Sequence, residues 1–216
     1  MGIEKNFSGA ELERIKAAVH LAESGISGEI VPVVVQKSGY YSIAHYKGSL
    51  IASFATFFLF VFFDRFVPSL AVEDKLVVFV IVLLTGMVGA ILPRFSDGVK
   101  RLLITQQHMD HATRQRAENA FLEEEVFNTR HRTGIMIFVS FFESEVIVMG
   151  DRGISKVVDQ KAWDKIVRDL TTQIEKGKVV EGLEEAIKSC GEILQEKGFR
   201  KTTDDVNELR DDLRIG

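Results

Sequence analysis

The sequence predicts a layered α/β domain interrupted by a membrane-crossing helical hairpin, and three observations predict it. Charge is spread unevenly: residues 46–95 hold seven charged side chains, whereas the 216-residue chain holds 27 Lys and Arg and 31 Asp and Glu. Two long apolar runs lie inside that block. Outside it, short apolar runs of strand character alternate with stretches of helical periodicity, the pattern of strands covered by helices. The mean hydropathy of +0.09 thus averages two unlike populations. One cysteine and three prolines exclude a disulfide scaffold and a collagen-like chain. A net charge of -4 offers no basic face for nucleic acid.

The elements follow in order. Ser8-Gly9-Ala10-Glu11 has the form of a capping box, in which a serine hydroxyl meets the amide three residues on. Leu12, Ile15, Val19 and Ala22 continue it at helical spacing, and Gly25 is placed to close the helix. Gly28 to Val35 reads as a buried strand, with Pro32 putting it near an edge or interrupting it there.

The apolar block comes next. Leu50 to Phe63 has only Ser53 and Thr56 as polar residues, and Leu76 to Leu92 has only Thr85. About 17 to 20 apolar helical residues cross the hydrocarbon of a bilayer. The spans are expected at about 49–67 and 76–93, and neither has the one-sided polar face of a soluble core helix. Tyr40, Tyr41 and Tyr46 precede the first run, where an aromatic belt belongs. Ala52 and Thr56, and Gly86 and Ala90, form small-residue pairs that let two helices approach closely. The flanks carry Lys37, Lys47, Arg94, Lys100 and Arg101, the loop Arg65 and Lys75. The positive-inside rule then places both termini in the cytoplasm of a two-pass inner-membrane protein. The first 36 residues hold a charged amphipathic stretch in place of the basic start and apolar core of a signal peptide.

Beyond the block, Lys100 to Phe127 reads as one long polar helix with Met109, Ala112, Ala120, Phe121 and Phe127 as its inner positions. Thr133 to Phe141 is an apolar strand, Glu143-Ser144 a tight turn, and Glu145 to Gly150 the second arm of a hairpin. Two amphipathic helices follow. One carries Trp163, Ile166, Val167, Leu170 and Ile174 and ends near Gly177; the other carries Val180, Leu183, Ile187, Cys190 and Leu194 and ends near Gly198. Residues 1–45 are too few to bury a core alone, so they pair with 96–199 to make one soluble domain, with 46–95 inserted as the hairpin. Residues 200–216 form an acidic tail with Val206, Leu209 and Leu213 at helical spacing, suited to dock on a partner or on its own domain.

The stretches from Arg132 to Val167 and from Ile174 to Leu194 resemble the second half of a TPM domain. Gly134, Gly150, Gly153, Gly182, Leu183, Ala186 and Ile187 occupy matching positions. The resemblance is closest to bacterial membrane members with an inserted hairpin and a short Asn207-Glu208-Leu209 tail. It implies an α/β/α domain and, in some members, acid phosphatase activity. Where many members carry an acidic residue ahead of the first helix, this chain reads Asn6-Phe7-Ser8-Gly9.

The candidate chemistry lies after the last of these strands. Gly150-Asp151-Arg152-Gly153 stands at a strand end, where layered α/β domains place ligands, and its glycines let backbone amides approach an anion. Asp159 lies eight residues on; if the loop folds back, Asp151 and Asp159 hold a hard divalent cation such as calcium. The structural alternative is a turn at Asp151 and a helix cap at Asp159. His108 and His111 flank Asp110 without a third ligand in sequence reach, and Arg130-His131-Arg132 is a small basic knot. Cys190 and Trp163 read as core. The expected function is a membrane-anchored accessory or partner-binding module on the cytosolic face, its partners the lipid bilayer and another membrane or cytosolic protein. The alternative is a metal-dependent, phosphatase-like hydrolase.

Overall fold

The computed structural model describes residues 7–201 and 207–216. Asn6 and Val206, both used in the sequence reading, lie outside them. The chain divides into two compact units: residues 1–38 with 110–216, and residues 39–109.

In the first unit, α1 (Gly9–Glu23) starts at the expected capping box: the Glu11 amide donates to Ser8 Oγ at 3.3 Å, and the Ser8 amide donates to Glu11 Oε2 at 2.7 Å. Its C-cap is Ser24, in right-handed helical geometry, and not Gly25. β1 (Glu29–Val35) follows. The second unit then holds α2 (Ile43–Phe66), a 3-10 turn at Pro68–Leu70, α3 (Lys75–Phe95) and α4 (Asp97–Leu103). After α5 (Gln106–Glu123), the first unit continues with β2 (Gly134–Ser140), β3 (Glu145–Gly150), α6 (Arg152–Ser155), α7 (Gln160–Glu175), α8 (Val179–Glu196) and β4 (Arg214–Ile215).

The sheet order is β3-β2-β1-β4, with β1 parallel to β2 and β4, and β2 antiparallel to β3. Strand alternation sends Ile30, Val34, Ile135, Ile137 and Val139 to a core with α1, α7 and α8. Val31, Val33, Val35, Met136 and Phe138 face the other way, onto Ala117 and Ala120 of α5 and onto Val126. The sheet is therefore covered on both faces, which is why β1 and β2 are buried at every position and read as continuous apolar runs. α7 and α8 end at Gly177 (φ 74°) and Gly198 (φ 90°), the left-handed geometry that favours glycine. After α7, the Lys178 amide reaches back to the Gln173 carbonyl at 2.9 Å and satisfies a carbonyl of the last turn.

Pro32 sits inside β1 without breaking a ladder. Residues of β1 alternate in pointing their backbone groups toward β2 or toward β4: the Glu29 amide meets the Thr133 carbonyl, while the Ile30 amide meets Glu23 Oε1 and the Val34 carbonyl accepts from Gly216. Pro32 shares the parity of Ile30 and Val34, so its nitrogen faces the side where β4 pairs only with Val33 and Val34. The expected edge character of Pro32 is thus met on one side of an otherwise interior strand.

Two sequence expectations give way. The long helix from Lys100 to Phe127 is broken at Ile104, whose backbone is extended (φ -101°, ψ 138°) and whose side chain is buried; α5 stops at Glu123. The tail is not helical over the described residues 207–213; it ends in β4, because the outer edge of β1 offers unpaired backbone groups near Val34. Lys16 Nζ meets Asp212 at 2.9 Å and Arg214 Nε meets Glu124 at 2.8 Å, tying the same segment to α1 and to the end of α5.

In the second unit α2 and α3 pack as an antiparallel hairpin. At about 1.5 Å per residue, their 24 and 21 residues extend about 36 and 32 Å, so both are long and apolar enough to cross a bilayer. Their phenylalanines, leucines and valines are largely exposed, including Phe54, Phe58, Phe79 and Leu84. Buried positions gather on the seam: Gly86, Gly89 and Pro93 on α3. A Cβ on Gly48 would collide with the Gly89 carbonyl, and one on Gly89 would lie 2.6 Å from Ala52 Cβ. The seam therefore runs through Gly48 and Ala52 against Gly86 and Gly89, a turn nearer the start of α2 than the expected Ala52–Thr56 pair. His45 Nδ1 lies 2.7 Å from the Ala90 carbonyl oxygen on the same seam.

Candidate functional site

The loop after β3 is held together by its own backbone. The Asp151 amide donates to the Gly134 carbonyl (2.8 Å), Arg152 to Asp151 Oδ1 (2.6 Å), Gly153 to the Arg132 carbonyl (3.1 Å) and Ile154 to the Asp151 carbonyl (3.0 Å). Four successive amides of the glycine-bearing loop are thus engaged within the fold. Gly153 is there for close approach: a Cβ on it would meet the Arg132 carbonyl. Gly150 is packed against Ile154, 3.1 Å from where its Cβ would stand.

Asp151 is buried and caps α6; Asp159 is exposed and caps α7, its Oδ1 accepting the Lys161 amide at 3.2 Å. Both therefore perform helix-cap roles. Asp151 keeps one feature beyond capping. Among the described residues its Oδ2 is buried without a hydrogen-bond partner and lies 4.0 Å from Arg132 Nη1. Among the described residues no group of three or more His, Cys, Asp and Glu side chains is arranged to hold a metal ion. The His108 ring packs edge-on to Tyr41 at 5.9 Å, and the basic knot is tied inward: the Arg130 amide donates to Glu208 (2.8 Å) and Arg132 Nη1 to the Phe127 carbonyl (2.8 Å). Cys190 is fully buried, and burial pushes its thiol up to about 12.

A second acidic centre was not singled out in the sequence. Glu23, at the end of α1, accepts the Ile30 amide at Oε1 (2.8 Å), while its Oε2 is buried with no hydrogen-bond partner among the described residues. Burial pushes its carboxyl up to about 8, against the pull of the Ile30 amide; Glu29 and Asp211 push the same way and Lys201 opposes them. Glu29 is also raised by burial, and it accepts the amides of Glu208 (3.0 Å) and Leu209 (3.3 Å). His20 Nδ1 stands 3.2 Å from Asp211 Oδ2. Glu23, Glu29, His20, Lys201 and Asn207 line a cavity of about 160 Å³. A carboxyl that titrates near neutrality can give or take a proton at physiological pH. One sign was legible, since Glu29 opens an otherwise apolar strand; the covering segment that buries it was not.

A third feature is a groove of about 880 Å³ along α1 and α8. Small residues (Ala18, Ala22, Gly191) and Ile26 line it, and Leu21 is 74% exposed beside them. Four glutamates, Glu181, Glu184, Glu185 and Glu192, line it against Arg14 and Lys188. Arg14 meets Glu184 with two hydrogen bonds, at 2.9 and 2.7 Å, which fixes one wall.

Residues 96–193 match the family model described as the TPM domain. The match takes in both arms of the β2–β3 hairpin and α6 to α8 up to Ile193, and leaves α1 and β1 outside. The chain is similar in fold to the NMR structure of the BA42 protein from the psychrophilic bacterium Bizionia argentinensis sp. nov., with 19% sequence identity over 97% of this chain and 95% of that one, at a TM-score of 0.60. No curated protein matches the sequence.

Proposed function

We propose that this chain is a two-pass membrane protein that presents a TPM-like domain on the cytosolic face as a partner-binding module. The observation that carries the reading is the α1–α8 groove. Ala22 and Gly191 bring α1 and α8 close together beneath it, the exposed Leu21 gives it an apolar rim, and its glutamate excess selects a basic helix. The partner is accordingly a membrane or cytosolic protein that presents a basic amphipathic helix. Support for the anchor comes from the apolar side chains that α2 and α3 expose along their length. Basic residues flanking the hairpin support cytoplasmic termini.

A photocrosslinking amino acid in place of the exposed Leu21, in native membranes, tests the module. A discrete adduct that Glu185→Lys abolishes supports it; no adduct, or one indifferent to Glu185→Lys, overturns it. A second reading, a metal-dependent phosphatase, is favoured by one observation: the buried Oδ2 of Asp151, which accepts no hydrogen bond among the described residues and has Arg132 as its ion-pair partner, and on which a calcium-like cation with help from Asp159 would have to be built. Divalent-cation-dependent hydrolysis of an artificial phosphomonoester that disappears in Asp151→Ala would establish that reading instead.

A further inference from the structure

Beyond crossing the bilayer, the end of the second unit that carries its chain connections has the make-up of a lipid-binding surface. We infer that α4, with the adjoining ends of α2 and α3, lies in the headgroup layer and binds anionic phospholipid. The inference rests on the membrane reading above and adds a lipid partner and a site to it.

α4 starts one residue after α3. Ser96 separates them with an extended backbone (φ -140°, ψ 113°), and its Oγ accepts the Val99 amide at 3.4 Å, so a second helix begins where the first stops. α4 is held to the hairpin, because a Cβ on Gly48 would lie 3.5 Å from Leu103 Cδ1. Leu103 thus packs inward on α2. Its neighbour Leu102 is 85% exposed, and Phe95 at the end of α3 is 82% exposed. Large apolar side chains this bare gain by moving out of water into an apolar layer.

The opposite helix supplies matching groups at the same end. His45 meets Ala90 and Gly48 meets Gly89, so the start of α2 lies beside the end of α3. Tyr40, 93% exposed, and Tyr46, 70% exposed, stand just before and just inside that start. Tyrosine and phenylalanine beside leucine are the side chains of a membrane interface, where an apolar body and a polar edge are both satisfied. Charge points to the lipid. Lys47, Arg94, Lys100 and Arg101 belong to this end, with Asp97 the one acid in α4, whereas the connecting turn carries Asp64, Glu73 and Asp74 against Arg65 and Lys75. A basic, aromatic collar adjoining two spans fits an anionic headgroup surface, each basic side chain near it adding about 1 kcal/mol of attraction.

The test places nitroxide labels on the full-length protein in vesicles, at Leu102→Cys and, as a depth marker, at Phe54→Cys in the middle of α2. Cys190 is buried and does not compete for label. Power saturation compares collisions with oxygen, which concentrates in the hydrocarbon, and with a water-soluble nickel chelate. In mixed phosphatidylcholine–phosphatidylglycerol vesicles the Leu102→Cys label should fall between water and the Phe54→Cys label. Its nickel collisions should be at least about five-fold fewer than in pure phosphatidylcholine, the attraction of a single basic side chain being the floor for Lys100 and Arg101 together. Lys100→Gln with Arg101→Gln should erase that difference. Water-like collisions at Leu102→Cys with a deep Phe54→Cys label overturn the inference and leave the anchor standing. A label at Phe54→Cys that meets the chelate freely overturns the membrane reading itself. Equal depth in both vesicle types overturns the anionic preference.

Discussion

Replacing Glu23 with Gln should remove one large contribution to the pH dependence of stability in the unit that contains Trp163. The Glu23 carboxyl moves from an ordinary 4.5 to about 8 on folding, because burial disfavours its anion. A group raised in the native state contributes its stability fully below the unfolded value and loses it as pH rises to the folded one. The native state should therefore weaken between about pH 4.5 and 8 and level off above. At about 1.4 kcal/mol per pH unit the whole interval corresponds to roughly 5 kcal/mol, an upper bound because water in the adjoining cavity would solvate the anion. Glu23→Gln keeps an acceptor for the Ile30 amide but places an amino group where Oε2 has no partner, at a cost of about 1–3 kcal/mol. The two curves should then cross between about pH 5 and 7, with the variant the more stable at alkaline pH. Urea unfolding of the full-length protein in detergent, followed by the single tryptophan, reads this unit directly because Trp163 lies in its core. Parallel curves for the parent and Glu23→Gln from pH 5 to 9 would refute the reasoning, since they would mean that Glu23 is ionised and solvated throughout.

Three further outcomes are expected. Gly153→Ala should lower the urea midpoint reported by Trp163, by about 1–3 kcal/mol in stability, because its Cβ meets a backbone carbonyl that cannot swing aside; an unchanged midpoint would show that the loop gives way. Cys190 should resist a thiol-reactive dye at pH 8 in the folded protein and react within the urea transition, its thiolate being disfavoured by complete burial. Gly89→Ile should force α2 and α3 apart at the seam, seen as a lower aggregation temperature in detergent than for Val88→Ile, which changes an exposed neighbour.

The loop after β3 illustrates how far the residues could be read in advance. Its glycines and Asp151 are visible in the sequence, whereas the carbonyl and carboxylate partners that engage its four amides belong to the folded loop. Of the roles named as the alternative, the cap at Asp159 is filled as stated, and Asp151 caps α6 where a turn was expected. Glu23 and Glu29 went unremarked for a different reason. Each sits at the end of an ordinary amphipathic helix or apolar strand, and nothing nearby in sequence announces that residues 208, 209 and 211 come back to cover them.

What the amino-acid order determines by itself is whatever acts within a helical turn or along a strand: the Ser8–Glu11 box, the glycine-ended α7 and α8, the apolar runs of β1 and β2, and two helices with the length and composition of membrane spans. These depend on neighbours one to four residues away, so composition and period reveal them. Tertiary structure alone decided that the tail adds a strand beside β1, that Ile104 splits a long helix, that the hairpin seam runs through Gly48, and that one carboxyl is raised to about 8. Each of those turns on which distant segment removes water from a given atom. Burial is a property of the assembled chain, and the energy of a charge or an open strand edge follows burial.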